Sequence, residues 1–236
     1  MKVLVIIPCY NESENILAVV QRLTTLCPQV DYLVVNDCSS DNTLSILREH
    51  GIHHLNLPLN LGIGGGVQSG YLYAMEHDYD ITVQMDGDGQ HDPHFLQQVI
   101  APVAEGKLDM CIGSRFIEKK GFQTSLMRRM GIRFLSGLIH LLTGERILDV
   151  TSGYRACNRQ MTAYFARDYA QDYPEPEAII TALCNGFAVG EVAVEMEERQ
   201  GGVSSIRAFK SISYMAKVSL ALVIHRLGAR RKGKRT

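Results

Sequence analysis

The stretch DITVQMDGDGQHDP, residues 80–93, joins an apolar run to an acidic loop and then to the start of a helix. An apolar run of this length, residues 80–86, is typical of a strand that is buried in a parallel sheet. Pro93 suits the first turn of a helix, because that position needs no backbone N–H donor. The stretch therefore predicts a strand, a loop and a helix, which is the unit that parallel α/β folds repeat.

Four further apolar runs repeat this arrangement, at residues 2–8, 31–37, 53–57 and 108–114. Helical patterns separate them, at about residues 13–26, 41–50, 64–77 and 93–105. This alternation predicts an α/β fold with an open, mostly parallel, doubly wound sheet. The polar stretches PCYNE, NDCSSDNT and DGDGQHDP each follow a predicted strand, so we expect them to form one site at the carboxyl ends of the strands.

The second half of the chain is mainly helical. Helices are predicted at residues 124–143, near 159–167 and 176–186, and over about 205–228, with a strand in 187–196. We expect one domain over residues 1–206 and an extension over 207–236. The apolar part of that extension, residues 214–227, is interrupted by a lysine and a histidine and is shorter than the ~20 residues of a membrane span. It is expected either to lie on a bilayer or to pack on the domain's own core.

The charge distribution is asymmetric. The last eleven residues hold six Lys and Arg and no acid, whereas the rest of the chain has 18 basic and 25 acidic residues, a formal charge of −7. An acidic body argues against nucleic acid as a partner. The basic tail favours an anionic membrane surface as its partner, and a solubilising tail is the alternative.

The acidic loop offers hard oxygen ligands. Asp86, Asp88 and Gln90 stand at alternating positions, and Mg²⁺ or Mn²⁺ prefers such donors together with phosphate and water. Two carboxylates about 4 Å apart repel by about 4 kcal/mol at an effective dielectric near 20, and a dication between them removes that cost. An EF-hand is excluded, because His91 stands where its loop needs glycine. A polar turn rich in Asp and Gly remains the alternative.

In these stretches and in several others, the chain resembles the family 2 glycosyltransferases of the GT-A fold, and among them the dolichyl- and polyprenyl-phosphate sugar synthases. The matching motifs, in the family's order, are IPCYNE (7–12), VVNDCSSDNT (34–43), NLGIGGGVQSG (60–70), QMDGDGQHDP (84–93), GSRF (113–116), LDVTSGYRACNR (148–159) and EERQGGVSS (197–205). The resemblance implies an inverting, metal-dependent transfer of a sugar from a UDP- or GDP-sugar to a polyprenyl phosphate.

The resemblance also implies roles for single residues on the donor side. The nucleotide would be bound by Pro8, Tyr10, Glu12, Asp37 and Arg199. The divalent metal on the donor diphosphate would be bound by Asp86, Asp88 and Gln90, so the two aspartates also act in catalysis.

On the acceptor side, the resemblance implies that Arg115 neutralises phosphate charge, with further contacts from Arg129 and Arg133 of the predicted helix 124–143. Glu177 stands where the family has an acidic residue near the acceptor pocket. It is expected to orient the sugar in catalysis, or else only to cap the helix that begins there.

Two departures limit the resemblance. The last motif lacks the lysine of the usual G-x-S-K pattern, so contact with the donor phosphates is expected from Arg207 or Lys210 instead. The second departure bears on location: no counterpart is expected here of the carboxyl-terminal transmembrane helices that many bacterial members have. The apolar start MKVLVII has no cleavable signal pattern, and the six cysteines are scattered. We therefore expect a cytoplasmic protein, peripheral on the inner face of the membrane, that docks directly or through a small membrane partner protein.

Three rival functions remain open. Transfer to a polysaccharide hydroxyl would need a base, for which Asp149 or Glu177 is the candidate. A sugar nucleotidyltransferase has a similar sheet and acidic ligands, but should carry a glycine-rich basic loop where this chain reads PCYNE. A scaffold that retains the fold without catalysis is the third.

Overall fold

The computed structural model describes residues 1–198 and 212–232. The strands in these residues are β1 (Val3–Cys9), β2 (Asp31–Asn36), β3 (His54–Asn56), β4 (Ile81–Gln84), β5 (Met110–Ser114), β6 (Arg155–Asn158) and β7 (Val189–Ala193). The helices are α1 (Ile16–Leu26), α2 (Thr43–Glu49), α3 (Gly62–Glu76), α4 (Leu96–Ala104), α5 (Leu126–Thr143), α6 (Arg159–Arg167), α7 (Pro174–Cys184) and α8 (Ile212–Lys232).

The seven strands form one sheet in the order β3-β2-β1-β4-β6-β5-β7. Pairs β1–β2, β2–β3, β1–β4 and β5–β7 are parallel, which confirms the mostly parallel sheet predicted from the apolar runs. The exception is β6, which runs antiparallel to both β4 and β5. The sequence did not predict β6, because its four residues, Arg-Ala-Cys-Asn, form neither an apolar run nor an alternating pattern.

Helices cover both faces of the sheet, as the doubly wound prediction requires. Strand side chains alternate between faces, so Leu4 and Ile6 of β1 pack under α3 while Val3, Val5 and Ile7 pack under α1 and α4. The first face also carries α5, α6, α7 and α8. Each face buries its own apolar cluster, and the sheet separates the two.

The last helix, α8, packs on α7 and α5. Val218 and Leu222 are fully buried, which confirms packing on the domain's own core as one of the two expectations for this segment. The predicted boundary at residues 206 and 207 lies outside the described residues. In the part of the chain that the structure describes, no helix combines the length and apolarity that crossing a membrane requires.

The contact between α3 and β1 leaves no room for a side chain at Gly70. A methyl group at this position would overlap Cγ2 of Ile6 and stand 3.0 Å from its Cγ1. We expect Gly70→Ala to lower the free energy of unfolding by about 1–3 kcal/mol, because overpacking outweighs the better helix propensity of alanine. Urea denaturation measures the change.

Gly137→Ala is the matched control, since Gly137 lies in α5 with no atom near enough to meet a methyl group. This change should raise stability by up to about 1 kcal/mol. Equal stability of the Gly70→Ala and wild-type proteins would contradict the packing argument.

Candidate active site

The carboxyl ends of β1, β2 and β4 meet at one edge of the sheet, where the strand order reverses. Pro8 lies in β1 beside Val35 of β2. Asp37 follows β2 directly and donates its backbone N–H to the Cys9 carbonyl over 2.9 Å. Ligands of open α/β sheets bind at such an edge. The three polar stretches therefore lie together, as their positions in the sequence predict.

Hydrogen bonds join the loop after β1 to the loop after β2. Asn11 adopts the left-handed conformation (φ 56°), and its side-chain oxygen accepts the Ser40 N–H over 2.8 Å. The buried Glu12 donates its backbone N–H to Thr43 Oγ1 over 3.0 Å. Tyr10 keeps 45 % of its surface exposed, so its ring is accessible at this edge. These hydrogen bonds hold the two loops together at the carboxyl ends of β1 and β2.

Asp37 is bound to the segment that precedes α3. Its side chain is buried, and its Oδ1 accepts the backbone N–H of Leu61 over 2.7 Å. The Asn60 side chain donates to the Asp37 carbonyl over 3.0 Å. These bonds hold the segment before α3 against the end of β2. Asp37 therefore connects the end of β2 to the segment before α3, where the nucleotide is expected.

The acidic loop after β4 is held by its own side chains. Asp86 donates its backbone N–H to Nδ1 of the buried His91 over 3.0 Å, and its Oδ1 accepts from the Gln84 side chain over 3.2 Å. Oδ1 of Asp88 accepts the backbone N–H of Gln90 over 3.0 Å. The two carboxylates are therefore oriented before any ligand binds.

The surroundings of Asp86 fit a divalent metal. A side chain at position 153 would place its first carbon 2.7 and 2.8 Å from the Asp86 oxygens, so only glycine leaves that carboxylate in place. The Asp86 side chain keeps 35 % of its surface exposed. Among the described residues, no group of three or more His, Cys, Asp and Glu side chains could hold a metal ion by itself. Mg²⁺ sites commonly combine one or two carboxylates with substrate phosphates, and Asp86 with Asp88 fits that type.

Hydrogen bonds join the acidic loop to the residues that precede Arg199 in the sequence. Glu197 donates its N–H to the Gln90 carbonyl over 2.9 Å, and the Gln90 side chain donates to the Glu197 carbonyl over 3.4 Å. Arg22 binds the carboxylates of Glu197 and Asp92 at 2.7 and 2.9 Å. Arg199 itself lies outside the described residues.

Arg115, at the end of β5, is held by a buried ion pair. Its Nε and Nη2 each lie 2.7 Å from an oxygen of Asp149, whose side chain is fully buried. Nη2 also donates to Thr151 Oγ1 over 3.2 Å. Burial disfavours the guanidinium charge, but the Asp149 hydrogen bond raises the pKa of Arg115 above its usual value. The charge is therefore permanent and its position is fixed.

A second arginine lies beside this pair. The Phe116 ring stacks with Arg115 at 5.4 Å and with Arg129 of α5 at 5.7 Å. The Asp86 carboxylate also acts electrostatically on Arg115. Arg133 is one turn further along the same side of α5 and is exposed. Of the predicted acceptor residues, the structure brings Arg115 and Arg129 together, with Arg133 extending the row.

The two glutamates in the first turn of α7 have different surroundings. Glu177 is buried, and its Oε2 lies 2.9 Å from Nε2 of His225 on α8, so this residue joins the two helices. Burial raises the pKa of Glu175; Arg155 opposes that shift and Asp86 adds to it. Glu175 is therefore the glutamate whose charge is coupled to the acidic loop.

Comparison with known proteins identifies the family. The sequence model of glycosyl transferase family 2 matches residues 4–165. The chain belongs to glycosyl transferase family 2. It is therefore an enzyme, and the resemblance seen in its motifs is confirmed.

Curated relatives of this glycosyltransferase cover most of its length. The chain is 32 % identical over 231 residues to polyprenol monophosphomannose synthase of Mycolicibacterium smegmatis. That match covers 92 % of this chain and 86 % of the relative. It is 33 % identical over 162 residues to undecaprenyl-phosphate mannosyltransferase of Micrococcus luteus. That match covers 66 % of this chain and 66 % of the relative. It is 30 % identical to UDP-N-acetylglucosamine–dolichyl-phosphate N-acetylglucosaminyltransferase of Methanococcus voltae, over 80 % of this chain and 83 % of the relative.

Solved structures confirm the GT-A fold. Glucosyl-3-phosphoglycerate synthase of Mycobacterium tuberculosis, in complex with Mn²⁺, UDP-glucose and phosphoglyceric acid, superposes with a TM-score of 0.73. The match covers 96 % of this chain and 80 % of that one at 17 % identity. A complex of the same synthase with Mn²⁺, UDP and glucosyl-3-phosphoglycerate matches with a TM-score of 0.71.

Several residues of the site had no role predicted from the sequence. Three of them lie inside the quoted motifs: His91, whose ring stacks on Tyr154 at 4.9 Å, Gly153 against Asp86, and the fully buried Arg155. His91 lies inside the acidic motif, and the other two lie inside LDVTSGYRACNR. Their positions inside these motifs could have marked them in the sequence as candidate site residues. Only the structure shows which groups they contact.

The contact between His225 and Glu177 predicts a pH-dependent stability. The hydrogen bond to Glu177 raises the pKa of His225. A raised folded-state pKa adds stability that is fully present below the unfolded pKa and is lost as pH rises through the folded pKa. We expect His225→Gln to lower the free energy of unfolding more at about pH 5.5 than at about pH 9, as measured by urea denaturation.

His50→Gln, which changes an exposed histidine at the end of α2, is the control and should show no such difference. An effect of His225→Gln that is the same at both pH values would mean that the ion pair does not hold α8.

Proposed function

We propose that this glycosyltransferase moves a sugar from a nucleoside diphosphate sugar to a polyprenyl phosphate, with inversion at the sugar carbon. The observation that carries the proposal is the electrostatic link between two opposite sets of charges, because the Asp86 carboxylate acts on the Arg115 guanidinium. The oriented carboxylates of Asp86 and Asp88 lie on one side, and the guanidinium pair of Arg115 and Arg129 around Phe116 lies on the other. The activities named for the three curated relatives support the same reading.

The donor is expected to bind at the loops that follow β1 and β2. Asp37 would accept the ring N–H of uracil or guanine, with Pro8, Tyr10 and Glu12 around the nucleotide. Asp86 and Asp88, with Gln90, would bind Mg²⁺ or Mn²⁺. The metal would neutralise the charge that develops on the departing diphosphate. Arg199 is proposed to add a further positive charge from the segment after Glu197.

The acceptor phosphate is expected at the arginines. A phosphate oxygen is already an anionic nucleophile, so positioning by cations matters more than proton removal. Arg115 is fixed by Asp149, and Arg129 and Arg133 extend its charge along α5. One in-line attack on the sugar carbon breaks the bond to the diphosphate and forms the bond to the acceptor, which inverts the centre.

Transfer to a sugar hydroxyl is the second candidate, and the geometry favours it less. That reaction needs a base at the acceptor. Both oxygens of Asp149 are held by Arg115, and the side chain is fully buried. Glu177 is paired with His225. Neither of the two bases suggested by the sequence is therefore placed to reach a hydroxyl group.

The surface of α5 and α8 supports membrane association. Large apolar side chains project from both helices, and the most exposed are Leu126, Met127, Met130, Phe134, Leu141, Leu220, Ile224 and Leu227. Helices with such faces and nearby arginines bind the interface of anionic bilayers. We assign the protein to the inner face of the membrane as a peripheral enzyme, with direct docking preferred over recruitment by a small membrane protein.

The reaction is tested by incubating the enzyme with UDP- and GDP-sugars, a polyprenyl phosphate and Mn²⁺. We expect lipid-linked sugar and release of a nucleoside diphosphate. Asp88→Ala should lower kcat/KM roughly a thousandfold or more, because the metal loses a ligand. Glu105→Ala removes an exposed carboxylate at the opposite end of the sheet and should leave kcat/KM unchanged.

Sugar found only on a saccharide acceptor would favour the second candidate. Release of pyrophosphate would identify a nucleotidyltransferase. No turnover of any donor by the folded protein would leave the scaffold interpretation.

Membrane docking is tested by sedimentation with vesicles that contain phosphatidylglycerol. We expect Met130→Ser with Phe134→Ser to weaken binding at both low and high salt, since these side chains insert into the apolar layer. Removal of residues 226–236 should weaken binding mainly at low salt, since the tail acts through charge.

Leu72→Ser, which changes a half-exposed leucine on α3, is the control and should bind vesicles as the wild type does. Wild-type vesicle binding by both altered proteins would exclude direct docking and leave recruitment by a partner protein.

A further inference from the structure

Arg155 is the largest side chain in the described residues that is fully buried. It opens β6, in the middle of the sheet between β4 and β5. Its guanidinium donates from Nη2 to the Ser152 carbonyl over 2.5 Å and from Nη1 to the Glu175 carbonyl over 3.3 Å. Within the described residues, its hydrogen bonds go to these backbone carbonyls and not to a carboxylate.

Such an arrangement is unfavourable for folding alone. Buried arginines are normally hydrogen-bonded to acids. The charge of Glu175 favours the Arg155 guanidinium electrostatically, but the hydrogen bond from Arg155 goes to the Glu175 backbone carbonyl. Nε of Arg155 and Oε1 of Gln84, its neighbour on β4, are both buried and lack a hydrogen-bond partner among the described residues. Buried polar atoms without a partner destabilise the folded state.

The two carbonyl groups that Arg155 binds belong to two different segments. One segment contacts the acidic loop, and the other is the start of α7. Ser152 directly precedes Gly153, the glycine that stands against both oxygens of Asp86. Glu175 lies in the first turn of α7. Arg155 thus joins the turn that abuts the metal-binding carboxylate to the start of α7.

The register of the sheet supports the same link. Arg155 lies opposite Gln84, whose side chain donates to Asp86 Oδ1 over 3.2 Å. The charges of Arg155 and Asp86 both act on the carboxyl group of Glu175. Asp86 is therefore contacted by Gly153 and Gln84, and both of these residues are placed by Arg155 or its strand.

We propose that Arg155 is a positioning residue, which orients Asp86 for the divalent metal by holding Ser152 and Gly153 against it and against α7. It acts through Gly153 and does not touch the metal or the donor. The proposal rests on the proposed metal-dependent transfer. It adds a buried cation to the set of residues that the metal site requires.

Arg155→Lys tests this role, because lysine keeps the charge but its single nitrogen cannot bind both carbonyls in the same fork geometry. We expect the dissociation constant for Mn²⁺ to rise by about tenfold to a hundredfold, the usual effect of losing an outer support of a ligand. Isothermal titration of MnCl2 into protein saturated with UDP, and then with GDP, measures binding without turnover.

Thr162→Val is the matched control. It removes a buried hydrogen bond of 2.8 Å to Thr82 on β4, away from the acidic loop. This protein should lose thermal stability and keep the wild-type affinity for Mn²⁺. If Arg155→Lys and Thr162→Val melt at similar temperatures and bind Mn²⁺ equally well, the role of Arg155 is only structural and the proposal is overturned.

Gly153→Ala provides a second test should Arg155→Lys fail to fold. The added methyl must displace the Asp86 carboxylate, so Mn²⁺ binding should weaken at least tenfold while the chain remains folded. Wild-type affinity in Gly153→Ala would overturn the proposal while leaving the metal site intact. A wild-type protein that binds no Mn²⁺ with either nucleotide would instead overturn the proposed metal dependence, and the positioning role with it.

Discussion

The parallel pairing of β1 with β2 and β4 is the constraint on which the site depends. Parallel strands end at the same edge, so the residues that follow them must meet there. Pro8, Asp37 and Asp86 are far apart in the sequence and reach this edge from three different strands. The loops after these strands are polar, as the proposed binding edge requires, while the strands themselves are apolar because helices cover both faces.

The antiparallel strand β6 brings the second half of the site to the same edge. Because β6 runs in the opposite direction to β4, its first residue, Arg155, lies beside the last residue of β4, Gln84. The turn before β6 therefore reaches the acidic loop, and Gly153 stands against Asp86. The same stretch of chain carries Asp149, which holds Arg115. One reversal of direction thus connects the acidic and the cationic sides of the site.

The helices after β5 connect the site with the apolar surface. α5 carries Arg129 and Arg133 on the same helix as the exposed Met130 and Phe134. α8 packs on α5 and on α7, to which it is joined by the His225–Glu177 contact. A lipid phosphate bound at the arginines would have its chain beside these apolar side chains. The arrangement suits a substrate with an anionic head and an apolar tail.

The sequence by itself determined the positions of β1 to β5 along the chain, the three polar strand ends and the family, because buried parallel strands and motif loops have strong local patterns. It predicted the acidic loop and the row of arginines as groups. Only the tertiary structure decided which partners these side chains have: Arg115 with Asp149, Glu177 with His225, and Asp86 with Gly153. Those contacts, and the strand β6 itself, depend on pairings between residues distant in the chain, which local sequence patterns do not encode.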